Sequence, residues 1–182
     1  MTTAPDRSVV ITGGPGAGKS TLIEHLETMG FASSPEAGRA VIRDQTAIGG
    51  RALPWIDPDL FAEVMLSWDI RAHGLAQARG GTVVFDRGVV DVAGYLRVEG
   101  RPVPEHLRAA AHRFRYHRTV FIAPPWPEIY RTDAERRQSL GDAERTHAAM
   151  VEAYTEYGYG LVELPRAPVE ERARFVAARI AG

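Results

Sequence analysis

The run Gly13-Gly14-Pro15-Gly16-Ala17-Gly18-Lys19-Ser20-Thr21 constrains this chain more than any other feature. It fits G-x-x-x-x-G-K-S/T, the pattern of a loop that wraps phosphate, which requires a strand before it and a helix after it. Both are legible. Ser8-Val9-Val10-Ile11-Thr12 is a short apolar, β-branched run of the kind buried inside a parallel sheet. Leu22, Ile23, Leu26 and Met29 then recur at helical spacing until Gly30 ends the helix. Glycines let backbone N–H groups turn inward around phosphate oxygens without a Cβ in the way, and the helix N-terminus adds its positive dipole end. In such a loop the lysine reaches the β- and γ-phosphates, and the hydroxyl after it ligates Mg2+. Gly14, Pro15, Gly16, Ala17, Gly18, Lys19, Ser20 and Thr21 are therefore expected to hold a nucleotide, with Lys19 facing solvent and ligand.

One count isolates Lys19 further. Of 22 basic residues, 21 are arginine and Lys19 is the single lysine. Lysine is a compact ammonium on a thin stem, whereas arginine is a wide planar fork that a tight phosphate cradle rejects. The rest of the composition narrows the field. At 182 residues the chain is about one domain, long enough to bury a core. A net charge of −1 disfavours a protein held to nucleic acid by bulk charge. With no cysteine, a disulfide scaffold, a thiolate zinc site, an iron–sulfur cluster and a cysteine nucleophile are excluded. No apolar run approaches the roughly 20 residues that span a bilayer, and the N-terminus lacks a secretory pattern, so a cytoplasmic location is expected.

Further strands are read at Phe31–Ser34, Thr82–Phe85, Thr119–Ile122 and Tyr159–Leu164. Helices are read from Glu36 to Thr46, from Asp57-Pro58 through Trp68, at Val90–Val98 and at Pro104–Tyr116. A charged, hinged helical stretch at Arg131–Tyr157 and a last helix lined by Val169, Ala173, Val176 and Ile180 complete the chain. The apolar stripe Leu60, Phe61, Val64, Met65 and Trp68 reads as core. Alternating strands and helices imply a parallel sheet covered on both faces, with ligands at the carboxyl ends of its strands. The phosphate loop, Ser34-Pro35-Glu36 and Asp86-Arg87 all fall at that edge.

The phosphate loop, the strand-terminal Val84-Phe85-Asp86-Arg87-Gly88 with Asp91 and Tyr95, and the run Tyr130-Arg131-Thr132-Asp133-Ala134-Glu135-Arg136-Arg137 resemble the small P-loop proteins often called predicted AAA-type ATPases. Those proteins are similar to nucleoside, nucleotide and ribosylnicotinamide kinases. The likeness runs over nearly the whole chain. The fold it implies is a single α/β P-loop domain over residues 1–182, a three-layer sandwich. Its sheet has five parallel strands in the order 2-3-1-4-5, with helices on both faces and a small lid at about 127–145.

The resemblance also implies roles. Asp86 accepts the proton of an acceptor hydroxyl or serves Mg2+ together with Ser20; the alternative is a Walker B aspartate in a plain ATPase. Arg87 binds substrate and holds Asp86 ionised. Arg136 and Arg137, on the lid with Arg131, neutralise the γ-phosphate, although adjacent helical residues point about 100° apart and at most one of them faces the phosphates well. Glu36 and Arg39 lie by the acceptor, or merely pair with each other at i, i+3. Asp91 and Tyr95 share a helix face, with Tyr95 on the substrate or buried as core. Pro165-Arg166-Ala167-Pro168 supports the base or is a rigid turn before the last helix.

Three functions remain open on these grounds. One is a kinase moving the γ-phosphoryl group of ATP to a nucleoside, nucleotide or related metabolite. The second is a regulatory ATPase or switch acting through a protein partner, and the third is a nucleotide-binding module without turnover. A GTPase is disfavoured because no second lysine exists for an N-K-x-D motif. Expected ligands are ATP, Mg2+ and a small-molecule acceptor, with no membrane, nucleic acid disfavoured and a homodimer left open.

Overall fold

The structure is a computed structural model that describes residues 7–129 and 139–180. In chain order its elements are β1 (Ser8–Gly13), α1 (Lys19–Thr28), β2 (Ala32–Ser34), α2 (Ala37–Ile48), α3 (Pro58–Arg79), β3 (Val83–Asp86), α4 (Val89–Val98), α5 (Glu105–Arg113), β4 (Thr119–Ala123), α6 (Leu140–Glu156), β5 (Gly160–Glu163) and α7 (Val169–Ile180). The strands form one sheet in the order β2-β3-β1-β4-β5, as the sequence predicts, and every pair is parallel.

The strand sequences explain their positions. All of β1 and β3 is buried, and their Val- and Ile-rich runs suit central strands covered on both faces. Half-buried Ala32-Ser33-Ser34 and the partly exposed β5 form the two edges. Alternation along β1 then divides the core. Val10 joins Phe85, Val120 and residues of α2 to α6 on one face. Val9 and Ile11 join Val84, Phe121 and residues of α1 and α7 on the other. Ile11 pairs with Asp86 and Ser34 with Phe85, so β1, β3 and β2 end along one edge.

Two helices depart from the sequence reading. The α3 helix starts as expected, with the Asp57 carboxylate accepting from the Leu60 N–H at 3.1 Å and Pro58 in its first turn. It runs on to Arg79, because its buried face continues through Asp69 and His73, two polar residues that interrupt the apolar pattern. The α5 helix ends at Arg113 rather than Tyr116. There the chain unwinds to bury Tyr116, whose hydroxyl accepts from the Val89 N–H at 3.2 Å. Residues 130–138 of the expected lid lie outside the described residues; beyond them, Ser139 caps α6 by accepting from the Asp142 N–H at 3.2 Å.

Candidate active site

The phosphate loop joins β1 to α1, and its glycines are needed where the chain turns or is crowded. Gly18 has φ +72, a left-handed conformation that L side chains resist. Gly14 is forced by space: a Cβ there would lie 2.4 Å from the Ala143 carbonyl oxygen of α6. Ser20 and Thr21 are exposed at the start of α1. Lys19 departs from the expectation of a solvent-facing side chain. It is 6% exposed, and its ammonium donates to the Gly14 carbonyl at 2.8 Å, so the loop folds over its own lysine.

A buried charge cluster lies beside this loop. Asp86, at the end of β3, is 7% exposed and its Oδ1 has no hydrogen-bond partner. Burial raises its pKa, the charge of Glu36 raises it further, and Lys19 and Arg87 oppose the rise. Arg87 follows with φ +69, the one non-glycine residue at positive φ among the described residues. Such a backbone costs on the order of 1–3 kcal/mol and persists where contacts over-determine it. Here the Arg87 N–H donates to the Ile11 carbonyl at 3.0 Å, and the guanidinium pairs with Glu36 at 3.2 Å and Asp91 at 3.3 Å. Asp91 also accepts from the Gly88 N–H at 2.9 Å, from the Tyr154 hydroxyl at 2.5 Å and from the Thr12 hydroxyl. It is a structural anchor tying β1, α4 and α6 together.

Next to the cluster opens a cavity of about 320 Å3. The phosphate loop contributes Pro15 to its wall. Glu36, Asp69, Arg87, Asp91 and Glu99 supply charge, while Trp55, Phe61, Met65, Tyr95 and Met150 are among its apolar walls. Of the expected acceptor residues, Glu36, Arg87 and Tyr95 meet here. Tyr95 packs edge-on against Phe61 at 5.3 Å, and its buried hydroxyl lacks a hydrogen-bond partner. Arg39 does not line this cavity; it is half exposed and pairs with Glu36 at 3.3 Å, the simple i, i+3 pairing. Arg131, Arg136 and Arg137 lie outside the described residues.

Two site residues escape the sequence reading. Asp69 breaks the α3 stripe at i+4 from Met65 and i+8 from Phe61, a charge where the helix faces inward. Arg172 stands on the buried side of α7, beside Val169 and Val176. Its guanidinium donates to the carbonyls of Ala17 at 3.1 Å and Gly18 at 3.3 Å, and lies 5.6 Å from the Trp126 ring. In both cases the signal was a charge on an apolar helical face. The Pro165–Pro168 loop lies nearby, where Arg166 donates to the Pro125 carbonyl at 2.9 Å.

The oxygen donors fit a hard cation. Asp86 has an orphaned buried oxygen and Ser20 an exposed hydroxyl. Among the described residues no group of three or more His, Asp or Glu forms a ready-made metal cage. Mg2+ suits such a sparse set, since it keeps waters and takes phosphate oxygens as ligands.

A parallel 2-3-1-4-5 sheet with a glycine-rich phosphate loop after its central strand defines an α/β P-loop domain with a kinase-like fold. The family model described as an AAA domain matches residues 8–172, and the chain belongs to that family. Among solved structures it is similar to the NadR protein in complex with NR, at 15% identity and a TM-score of 0.71. That match covers 96% of this chain, which spans half (50%) of the NadR chain. It is also similar to shikimate kinase from Acinetobacter baumannii in complex with shikimate, at 16% identity and a TM-score of 0.54, covering 96% of this chain and 93% of the other. Comparison with curated protein sequences gives no match. No helix among the described residues is long and apolar enough to cross a membrane.

Proposed function

We propose that this chain is an ATP-dependent phosphotransferase that moves the γ-phosphoryl group to a small molecule held beside the phosphate loop. The observation that carries this reading is the cavity. Its volume of about 320 Å3 falls at the small end of the roughly 300–1,000 Å3 of small-molecule sites. It meets the phosphate loop at Pro15 and borders the Asp86-Arg87 cluster, whereas a plain ATPase or switch needs no second walled chamber there.

The residues divide the work as follows. The phosphate loop and Lys19 hold the ATP phosphates, and Lys19 exchanges its bond to the Gly14 carbonyl for phosphate oxygens. The acceptor hydroxyl, seated in the cavity, bonds to the γ-phosphorus as the bond to the leaving ADP oxygen breaks. Asp86 takes the hydroxyl proton; burial and the charge of Glu36 raise its pKa above the ordinary carboxylate value. Ser20 and Asp86 would hold Mg2+, which when bound neutralises phosphate charge. Arg87 fixes Glu36 and Asp91 in the cavity wall, and one of Arg136 and Arg137 is proposed to offset charge on the γ-phosphate.

The test is ADP release with Mg-ATP, alone and with pooled nucleosides, nucleotides and vitamins. A kinase releases ADP well above its basal rate with one pool. Lys19→Ala is expected to lose most of that rate, and Asp86→Asn to keep ATP binding while transfer falls by about two orders of magnitude or more. A basal rate that no pool changes favours the regulatory ATPase instead.

A further inference from the structure

The cavity carries a chemical bias that bears on its occupant. Its described lining holds four carboxylates, Glu36, Asp69, Asp91 and Glu99, against one cation, Arg87. That cation is already bonded to Glu36 and Asp91. Asp91 is fully engaged by its four donors. Asp69 differs from the other buried acids of this wall: it is 6% exposed, lines the cavity, and makes no hydrogen bond or ion pair with any described residue. An unpartnered carboxyl at that depth is costly unless something supplies a donor. Met65 and Phe61 lie one and two turns before it on α3, and Trp55 and Tyr95 complete an aromatic lining that suits a flat ring.

We infer that Asp69 selects the acceptor: the cavity takes a planar-ring molecule that carries no phosphate or carboxylate and donates a hydrogen bond to the Asp69 carboxyl. An uncharged nucleoside meets this description and a nucleoside monophosphate does not. The phosphate of a nucleotide acceptor would face Glu36, Asp69 and Asp91 with no free cation among the described lining residues. A carboxylate acceptor meets the same field. The Asp69 carboxyl and the unpaired Tyr95 hydroxyl then receive the ring or sugar donors that the protein itself does not supply. The role of Asp69 in turnover rests on the kinase reading, whereas the binding preference stands apart from it.

The experiment is calorimetric titration of the four common ribonucleosides and their 5′-monophosphates. A non-hydrolysable ATP analogue saturates the phosphate loop, so that monophosphates cannot bind there. At least one nucleoside is expected to bind at least about tenfold more tightly than its monophosphate. Asp69→Leu should weaken that nucleoside about 100-fold and erase the preference, while Asp69→Asn, which keeps an acceptor oxygen, should lose about tenfold. Circular dichroism checks that both variants fold, and if Asp69→Leu does not, Asp69→Asn alone must show the loss. Monophosphates binding as well as nucleosides, a preference unmoved by the folded variants, or no binding by either class each overturn the inference. Nucleosides that bind yet never raise ADP release sink the kinase reading and leave the binding preference standing.

Discussion

Asp69 and Asp91 sit on neighbouring helices, face the same cavity and are both buried, yet their surroundings differ completely. Asp91 has a full set of donors, so its charge is compensated and its place fixed. Asp69 has none among the described residues, and its pKa is raised well above the usual carboxylate range, chiefly by burial and then by the charges of Asp91 and Glu36. The sign of the consequence for stability follows from linkage. A carboxyl whose folded pKa exceeds its unfolded value gives its full stability below the unfolded value, near 4, and loses it as pH rises through the folded one. Asp69→Asn removes that loss. Its melting temperature should match the parent near pH 4 and exceed it at pH 8, by about 2–4 °C for each kcal/mol relieved. Equal melting curves at both values would show that Asp69 is compensated in a way its geometry does not provide.

Among the elements, α6 presses on the site from two directions. At one end the Ala143 carbonyl closes on Gly14, and further along Met150 closes on Gly94 of α4. The contacts differ in how they can yield. A Cβ at Gly14 would meet backbone at 2.4 Å, so the helix or the phosphate loop must move. A Cβ at Gly94 would meet the Met150 sulfur at 2.5 Å, the end of a flexible side chain. Gly14→Ala is expected to cost about 2–3 kcal/mol and to weaken nucleotide binding. Gly94→Ala should be near neutral, because about 0.5–1 kcal/mol of helix propensity offsets the repacking. Urea unfolding of the two variants distinguishes them. The same comparison shows which parts of the elements were legible. Strand positions follow from β-branched runs, and α3 began where Asp57 and Pro58 said it should. Its length did not show, since Asp69 and His73 look like surface residues until the fold buries them.

Across the whole molecule, Arg172 joins the last helix to the first loop, over 154 and 155 residues of sequence. It is 3% exposed, and burial lowers its pKa. Two carbonyls of the phosphate loop accept hydrogen bonds from its guanidinium, so α7 helps to hold the loop in its phosphate-binding shape. Arg172→Ala is expected to destabilise the protein by about 2–3 kcal/mol. A non-hydrolysable ATP analogue at about 100 times its Kd adds about 2.7 kcal/mol to a protein that binds it only when folded. In Arg172→Ala that gain should shrink, because the loop is no longer pre-shaped. Thermal melts with and without the analogue read both effects, and an undiminished gain would reduce Arg172 to a packing residue.

The phosphate loop, the parallel sheet and the charged edge where Glu36, Asp86 and Arg87 meet are legible along the chain. These are local properties: a glycine pattern with one lysine, β-branched runs, and a strand end that points where the topology directs it. The tertiary structure decided what shares the acceptor cavity. Its wall draws on residues from Pro15 to Met150, and no periodicity along the chain says that Trp55, Asp69 and Met150 become neighbours. It also decided which charges are compensated. Arg87, Asp91 and Asp69 are all polar residues in helical or strand-end positions, and only packing gave the first two partners and left the third facing the cavity with none among the described residues.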